Sequence, residues 1–232
     1  MKKTYLGGIS AVMVGLLYIV TVVIILMSPP GENAVVDHVT YMNRLIAVHY
    51  ILGFLGLFGI MVVLAISNLL EPYTLSSEWY PYTKVIAIIG FALLSINNLR
   101  QVGLDHELSH KAMEQGGEVL DTIVLSWAGL VELSPQGWLD FGFVGIWIIT
   151  VSLITLVHQK RRYLSVLGLV AGMCFIMTVL GNVTGVSVLV TIGMGLGGLV
   201  VVPIWFISFG FILIKNHKLY DVTSIKEGIS LK

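Results

Sequence analysis

Six apolar stretches dominate this chain, at residues 5–27, 44–70, 84–104, 137–157, 164–181 and 188–214. A helix rises about 1.5 Å per residue and a bilayer core is about 30 Å thick, so roughly twenty apolar residues make one crossing. In that layer the backbone finds no water, and the α-helix satisfies its N–H and C=O groups within the segment itself. The expected fold is therefore an all-α integral membrane protein: a bundle of six transmembrane helices over 1–215, an outer-side amphipathic segment at 105–136 and a short cytoplasmic tail at 216–232. Only 11% of residues are charged, against about 25% in a soluble domain, too few to build a water-facing surface. The 13 basic and 13 acidic side chains cancel, which leaves no positive field to attract nucleic acid. The single cysteine, Cys174, has no intrachain partner and sits in an apolar run, where packing is its expected role.

The first stretch follows Lys2 and Lys3, as a signal peptide would. Its apolar run is long, however, and leads into Ser28, Pro29 and Pro30 rather than a small-residue cleavage site, so it reads as a retained anchor. With Lys2 and Lys3 inside, ten basic residues fall on the inner side, among them Lys160, Arg161 and Arg162, and only Arg44, Arg100 and Lys111 fall outside. That distribution follows the positive-inside rule and places both termini in the cytoplasm, with the plasma membrane, as a prokaryotic inner membrane, the expected location. Tyr73, Trp79, Tyr80, Tyr82 and Tyr163 on the inner side, and Trp127 and Trp138 on the outer, have the distribution of interfacial aromatic belts.

Residues 101–136 exceed an ordinary bundle connection. Glu118, Asp121, Thr122, Ser126 and Glu132 recur at helical spacing among apolar residues, which predicts an amphipathic helix on the outer interface, set off by Gly116 and Gly117 from a preceding helical stretch. Within the segment, His106-Glu107-Leu108-Ser109-His110 spells H-E-x-x-H. On a helix, His106 and His110 would lie on one face and grip a zinc ion, Glu107 would serve as general base, and Glu114 could complete the ligand set, with Glu118, Asp121, Glu132 and His38 as further candidates. The competing reading is a polar outer helix with no cofactor at all.

A second grouping gathers toward the outer ends of the spans: Arg44, His49, Asn97, Asn98, Arg100, Gln101, Asp140 and Asn182. Asn97, Gln101 and Asp105 follow at intervals of four and form one stripe along the third span. Polar side chains are costly in contact with lipid, so the grouping is expected to face the bundle interior, either as an outward pocket for a small or amphiphilic ligand or as a hydrogen-bonded glue pairing Arg44 or Arg100 with Asp140. Haem is not expected, since His49 is the one histidine placed within a span. Gly193 with Gly197, Gly168 with Gly172, and Gly181 with Gly185 form small-xxx-small pairs suited to close helix packing, and Pro203 predicts a kink in the last span.

Phe141-Gly142-Phe143-Val144-Gly145-Ile146-Trp147, the basic turn, Tyr163-Leu164-Ser165-Val166-Leu167-Gly168-Leu169-Val170-Ala171-Gly172 and the closing Pro203-Ile204-Trp205 run to Lys215 follow in order. In these stretches the chain resembles the membrane-protein family known as domain of unknown function 4386. The resemblance implies a six-helix membrane fold and brings no activity, and the acidic residue common in that family's last span is absent here. Three functions remain compatible with the residues: a ligand-binding membrane protein, an outward-facing zinc hydrolase using Glu107, and an accessory subunit with a membrane-protein or self-association partner. Ion-coupled transport lacks an ionisable residue near mid-span.

Overall fold

A computed structural model describes residues 2–28, 34–74, 78–115, 137–158 and 161–229. The described chain is helical throughout its long elements: α1 (Lys2–Leu26), α2 (Ala34–Thr74), α3 (Trp79–Gln115), α4 (Phe143–Val157), α5 (Arg162–Thr184), α6 (Ser187–Ile192) and α7 (Val202–Ile229). Two π-helical pieces join them, Trp138–Gly142 ahead of α4 and Gly193–Val201 between α6 and α7. Among the described residues, six helical stretches are long and apolar enough to cross a membrane: Tyr5–Leu26, Thr40–Thr74, Trp79–Asp105, Trp138–Val157, Arg162–Thr184 and Ser187–Lys215.

The helices outrun the apolar stretches that announce them. At about 1.5 Å per residue, α2 with 41 residues is roughly 60 Å long and α3 with 37 residues roughly 55 Å. Residues 105–115, expected as the start of a separate outer segment, are the continuation of α3, which ends at Gln115 just before the Gly116-Gly117 pair. The reason is local: between Leu104 and Gln115 the chain carries Glu107, Leu108, Lys111, Ala112, Met113 and Glu114, all good helix formers, and neither glycine nor proline. Residues 116–136, where the amphipathic outer helix is expected, lie outside the described residues. At the other end, α7 continues to Ile229 through the stretch expected as a separate tail.

Each long helix packs on its chain neighbours, and the last returns to the first, so the bundle closes into a ring. Glycines set the close crossings. A Cβ on Gly8 would stand 2.9 Å from the Gly210 carbonyl, and one on Gly210 2.7 Å from that of Gly8, which fixes α1 against α7. Gly145 and Gly172 stand in the same reciprocal relation between α4 and α5. Of the pairs singled out from the sequence, Gly193 and Gly197 abut Cys174 and Thr178 of α5, and Gly168 abuts Ser152 and the Trp205 indole. Gly185 packs against nothing; it ends α5 in the left-handed conformation at φ 71°, where glycine is the favoured residue.

Aromatic rings fill the middle of the ring of helices. Trp205 of α7 meets Trp147 of α4 edge-on at 6.0 Å and Phe206 at 4.9 Å, while Tyr18 of α1 lies 6.3 Å from Phe175 of α5 and 6.4 Å from Phe206. These rings are buried, as is Phe91 of α3 beside Phe206. The irregularity expected at Pro203 takes the form of the π-helical stretch before it. Proline donates no hydrogen bond and its ring crowds the preceding turn. The chain widens accordingly, and the Val202 N–H reaches back five residues to the Gly197 carbonyl.

Candidate functional site

Gly53, Gly56 and Gly59 bring α2 against α3: a Cβ on Gly56 would lie 2.5 Å from the Phe91 carbonyl, and one on Gly53 2.6 Å from Leu99. One turn beyond Gly53 this apolar seam gives way to His49, and α3 answers with Asn98, Gln101 and Asp105, whose spacing of three and four places them on one face.

The four side chains form a single network. His49 Nδ1 lies 2.9 Å from Asn98 Oδ1, and the Asn98 amide donates through Nδ2 to the Leu94 carbonyl at 2.7 Å. That second bond decides the first: with the amide nitrogen committed to a carbonyl, Asn98 presents its oxygen to the ring, so His49 Nδ1 carries a proton and donates. On the other side, His49 Nε2 stands 3.4 Å from Asp105 Oδ2, and Gln101 Nε2 donates to Asp105 Oδ1 at 3.0 Å. Asn98 thus engages His49 Nδ1, while Nε2 faces the Asp105 carboxylate.

Burial is graded across the network. The Asp105 side chain is 1% exposed and that of His49 is 24% exposed, so the carboxylate sits behind an imidazole that reaches the surface. A carboxylate so far from water requires partners to remain there, and Gln101 and His49 supply them. Asn97, beside Asn98 and one turn before Gln101, is half-buried, and its Oδ1 has no hydrogen-bond partner among the described residues.

The outer polar residues expected as one cluster occupy four places. His49, Asn98 and Gln101 meet at the network, with Asn97 at its edge. Arg44 is exposed at the α1–α2 corner, where Nη1 donates to the Met27 carbonyl, lies 3.5 Å from Ser28 Oγ, and the guanidinium rests 5.4 Å from the Tyr41 ring centroid. Arg44 therefore ties two helices together rather than neutralising Asp140. Asp140 accepts the Phe141 N–H on Oδ1 at 2.8 Å, and its backbone lies beside Gly90, about 12 Å along α3 from Asn98. Asn182 approaches Asp140 across Gly137, where a Cβ would stand 3.6 Å from Asp140 Oδ1 and 3.9 Å from Asn182 Nδ2. Arg100 is exposed on α3.

His106, Glu107 and His110 lie on unbroken α3, a placement common to the metal-site and polar-helix readings. At about 100° per residue, His106 and His110 sit roughly 100° and 140° around the helix from Asp105, on a face distinct from the one that meets α2. Glu107 is exposed, and the side chains of His106, His110 and Glu114 lie outside the described set. Among the described residues no three His, Cys, Asp or Glu side chains converge as a metal would require.

Asp105 is the member that the sequence signals only indirectly. Its four-residue spacing from Gln101 marks it as part of a stripe, but nothing in the chain announces that His49, 56 residues earlier, is its partner. No protein-family model, curated protein or solved structure matches this chain.

Proposed function

We propose that this chain is a multi-pass plasma-membrane protein with both termini cytoplasmic, and that the His49–Asn98–Gln101–Asp105 network and Asn97 hold the head group of a small or amphiphilic ligand at its outward end. Six helices of sufficient length and apolarity, and the ten-to-three bias of basic residues, support the membrane assignment and its orientation. The observation that carries the ligand site is the graded burial of the network: a carboxylate 1% exposed stands behind a histidine 24% exposed, beside an amide oxygen with no partner among the described residues. With His49 Nδ1 engaged by Asn98, the acceptor offered to a ligand is Asn97 Oδ1, which is buried and reaches the ligand when the Asn97 side chain turns outward. The ligand therefore carries an O–H or N–H donor near an apolar body, which the neighbouring exposed Ile96 would accommodate.

Native mass spectrometry of protein purified in mild detergent tests this reading. Wild-type protein is expected to carry an adduct of lipid or metabolite size, and Asn97→Leu is expected to lose it while keeping the wild-type melting midpoint. Wild-type protein that carries no adduct, and whose melting is unmoved by a total extract of membrane lipids, would sink the proposal.

A second reading is favoured by one observation, the placement of His106-Glu107-x-x-His110 on continuous helix. In it the same end of the protein is a zinc hydrolase, with His106 and His110 as ligands and Glu107 as base.

A further inference from the structure

The end of the bundle opposite the His49 network carries cations with no acidic partner among the described residues. α4 and α5 are joined by a short turn closed by Arg161, which is left-handed at φ 53° although it is not glycine. The Arg161 carbonyl accepts the N–H groups of Leu164 at 2.9 Å and Ser165 at 3.3 Å, so the backbone alone caps α5 and the guanidinium takes no part. Arg162 follows immediately. Both side chains are exposed, and neither has an acidic partner among the described residues. An arginine standing where glycine or asparagine would relieve strain invites a reason outside the fold.

The surface beneath the arginines supplies one. Arg162, Val166, Val170 and Met173 lie on one face of α5 at intervals of four, four and three, and all four are exposed, the apolar three at 50%, 41% and 52%. Tyr163 and Val157 flank the same turn and are 62% and 75% exposed. A cationic pair thus stands at the head of an apolar stripe about 10 Å long, the shape of a phosphate diester with the upper part of an acyl chain below it.

We propose that the α4–α5 turn and the exposed face of α5 form a binding site for one anionic phospholipid, with the phosphate between Arg161 and Arg162 and an acyl chain along Val166, Val170 and Met173. The site rests on the membrane assignment proposed above. A free phosphate would use the arginines and ignore the stripe, which distinguishes the two sources of the same chemistry.

Purified full-length protein in detergent, titrated with phosphatidylglycerol or phosphatidylcholine and read by native mass spectrometry, tests the site. Wild type is expected to prefer phosphatidylglycerol by tenfold or more, and the Arg161→Gln, Arg162→Gln double variant to bind the two lipids alike, each arginine contributing a roughly fivefold factor. Arg161→Gly removes one charge while relieving the left-handed strain, so it should lose about fivefold in preference with melting unimpaired, which separates lost binding from lost folding. A double variant that keeps the preference overturns the site, and so does sodium phosphate if it raises the melting midpoint as far as phosphatidylglycerol does. Flotation with phosphatidylcholine vesicles separates the underlying assumption: protein that fails to float defeats the membrane assignment, whereas protein that floats without lipid preference defeats only this site.

Discussion

A carboxylate with 1% exposure, as in Asp105, needs polar neighbours such as Gln101 and His49 in place of the water it has lost. Asp105→Ala leaves the half-buried Gln101 amide and His49 ring without this partner, and a loss of about 1–2 kcal/mol is expected from the midpoint of unfolding in detergent. Combined with His49→Ala in a double-mutant cycle, the pair should show a coupling of about 1–2 kcal/mol; additive losses would mean that the 3.4 Å contact contributes nothing. Two glycines separate steric from conformational cost. A methyl on Gly168 would overlap Ser152 Oγ and the Trp205 indole nitrogen, so Gly168→Ala should cost about 2–3 kcal/mol, part of it recovered when Ser152 is also replaced by alanine. A methyl on Gly185 meets nothing within 4 Å, and Gly185→Ala should cost only the left-handed penalty, about 1–2 kcal/mol, without rescue by any neighbour. The two glycines have the same appearance in the sequence, each paired with another glycine four residues away. Only the neighbours of Gly168 and the positive φ of Gly185 tell them apart.

At the scale of elements, the six apolar stretches were legible because burying or lipid-covering twenty residues is a property of composition, readable without knowing the neighbours. The helix ends were not, because the helix does not stop where hydrophobicity stops. Residues 105–115 extend α3 because Glu, Leu, Lys, Ala and Met favour helix whether wet or dry. That continuity bears on the H-E-x-x-H motif, since His106 and His110 share a face only if the backbone between them is helical. Elemental mass spectrometry after a mild chelator wash decides between the two proposed functions. The ligand-site reading expects no stoichiometric zinc in wild-type protein, and about one zinc per chain, lost in both His106→Ala and His110→Ala, would transfer the argument to the hydrolase.

At the scale of the molecule, the closed ring places the two ends of the bundle under different chemistry: the His49–Asp105 network and Asp140 toward one, and His158, Arg161 and Arg162 with exposed Trp79 and Tyr82 toward the other. The proposed orientation makes a direct prediction. Alkaline phosphatase fused within 116–136 should be active outside the cytoplasm and inactive when fused after residue 232, and the reverse pattern would invert every inward and outward assignment. The sequence by itself determined the helical class, the number of long apolar helices and the charge asymmetry between their ends, since each follows from which residues stand next to one another along the chain. Tertiary structure decided which polar residues meet. Arg44 turned to the Met27 carbonyl, Asp140 to its own π-turn, and Asp105 to a histidine on another helix, because hydrogen-bond partnership depends on helix register and rotation, which are set by glycine contacts such as Gly56 on Phe91 that no single segment encodes.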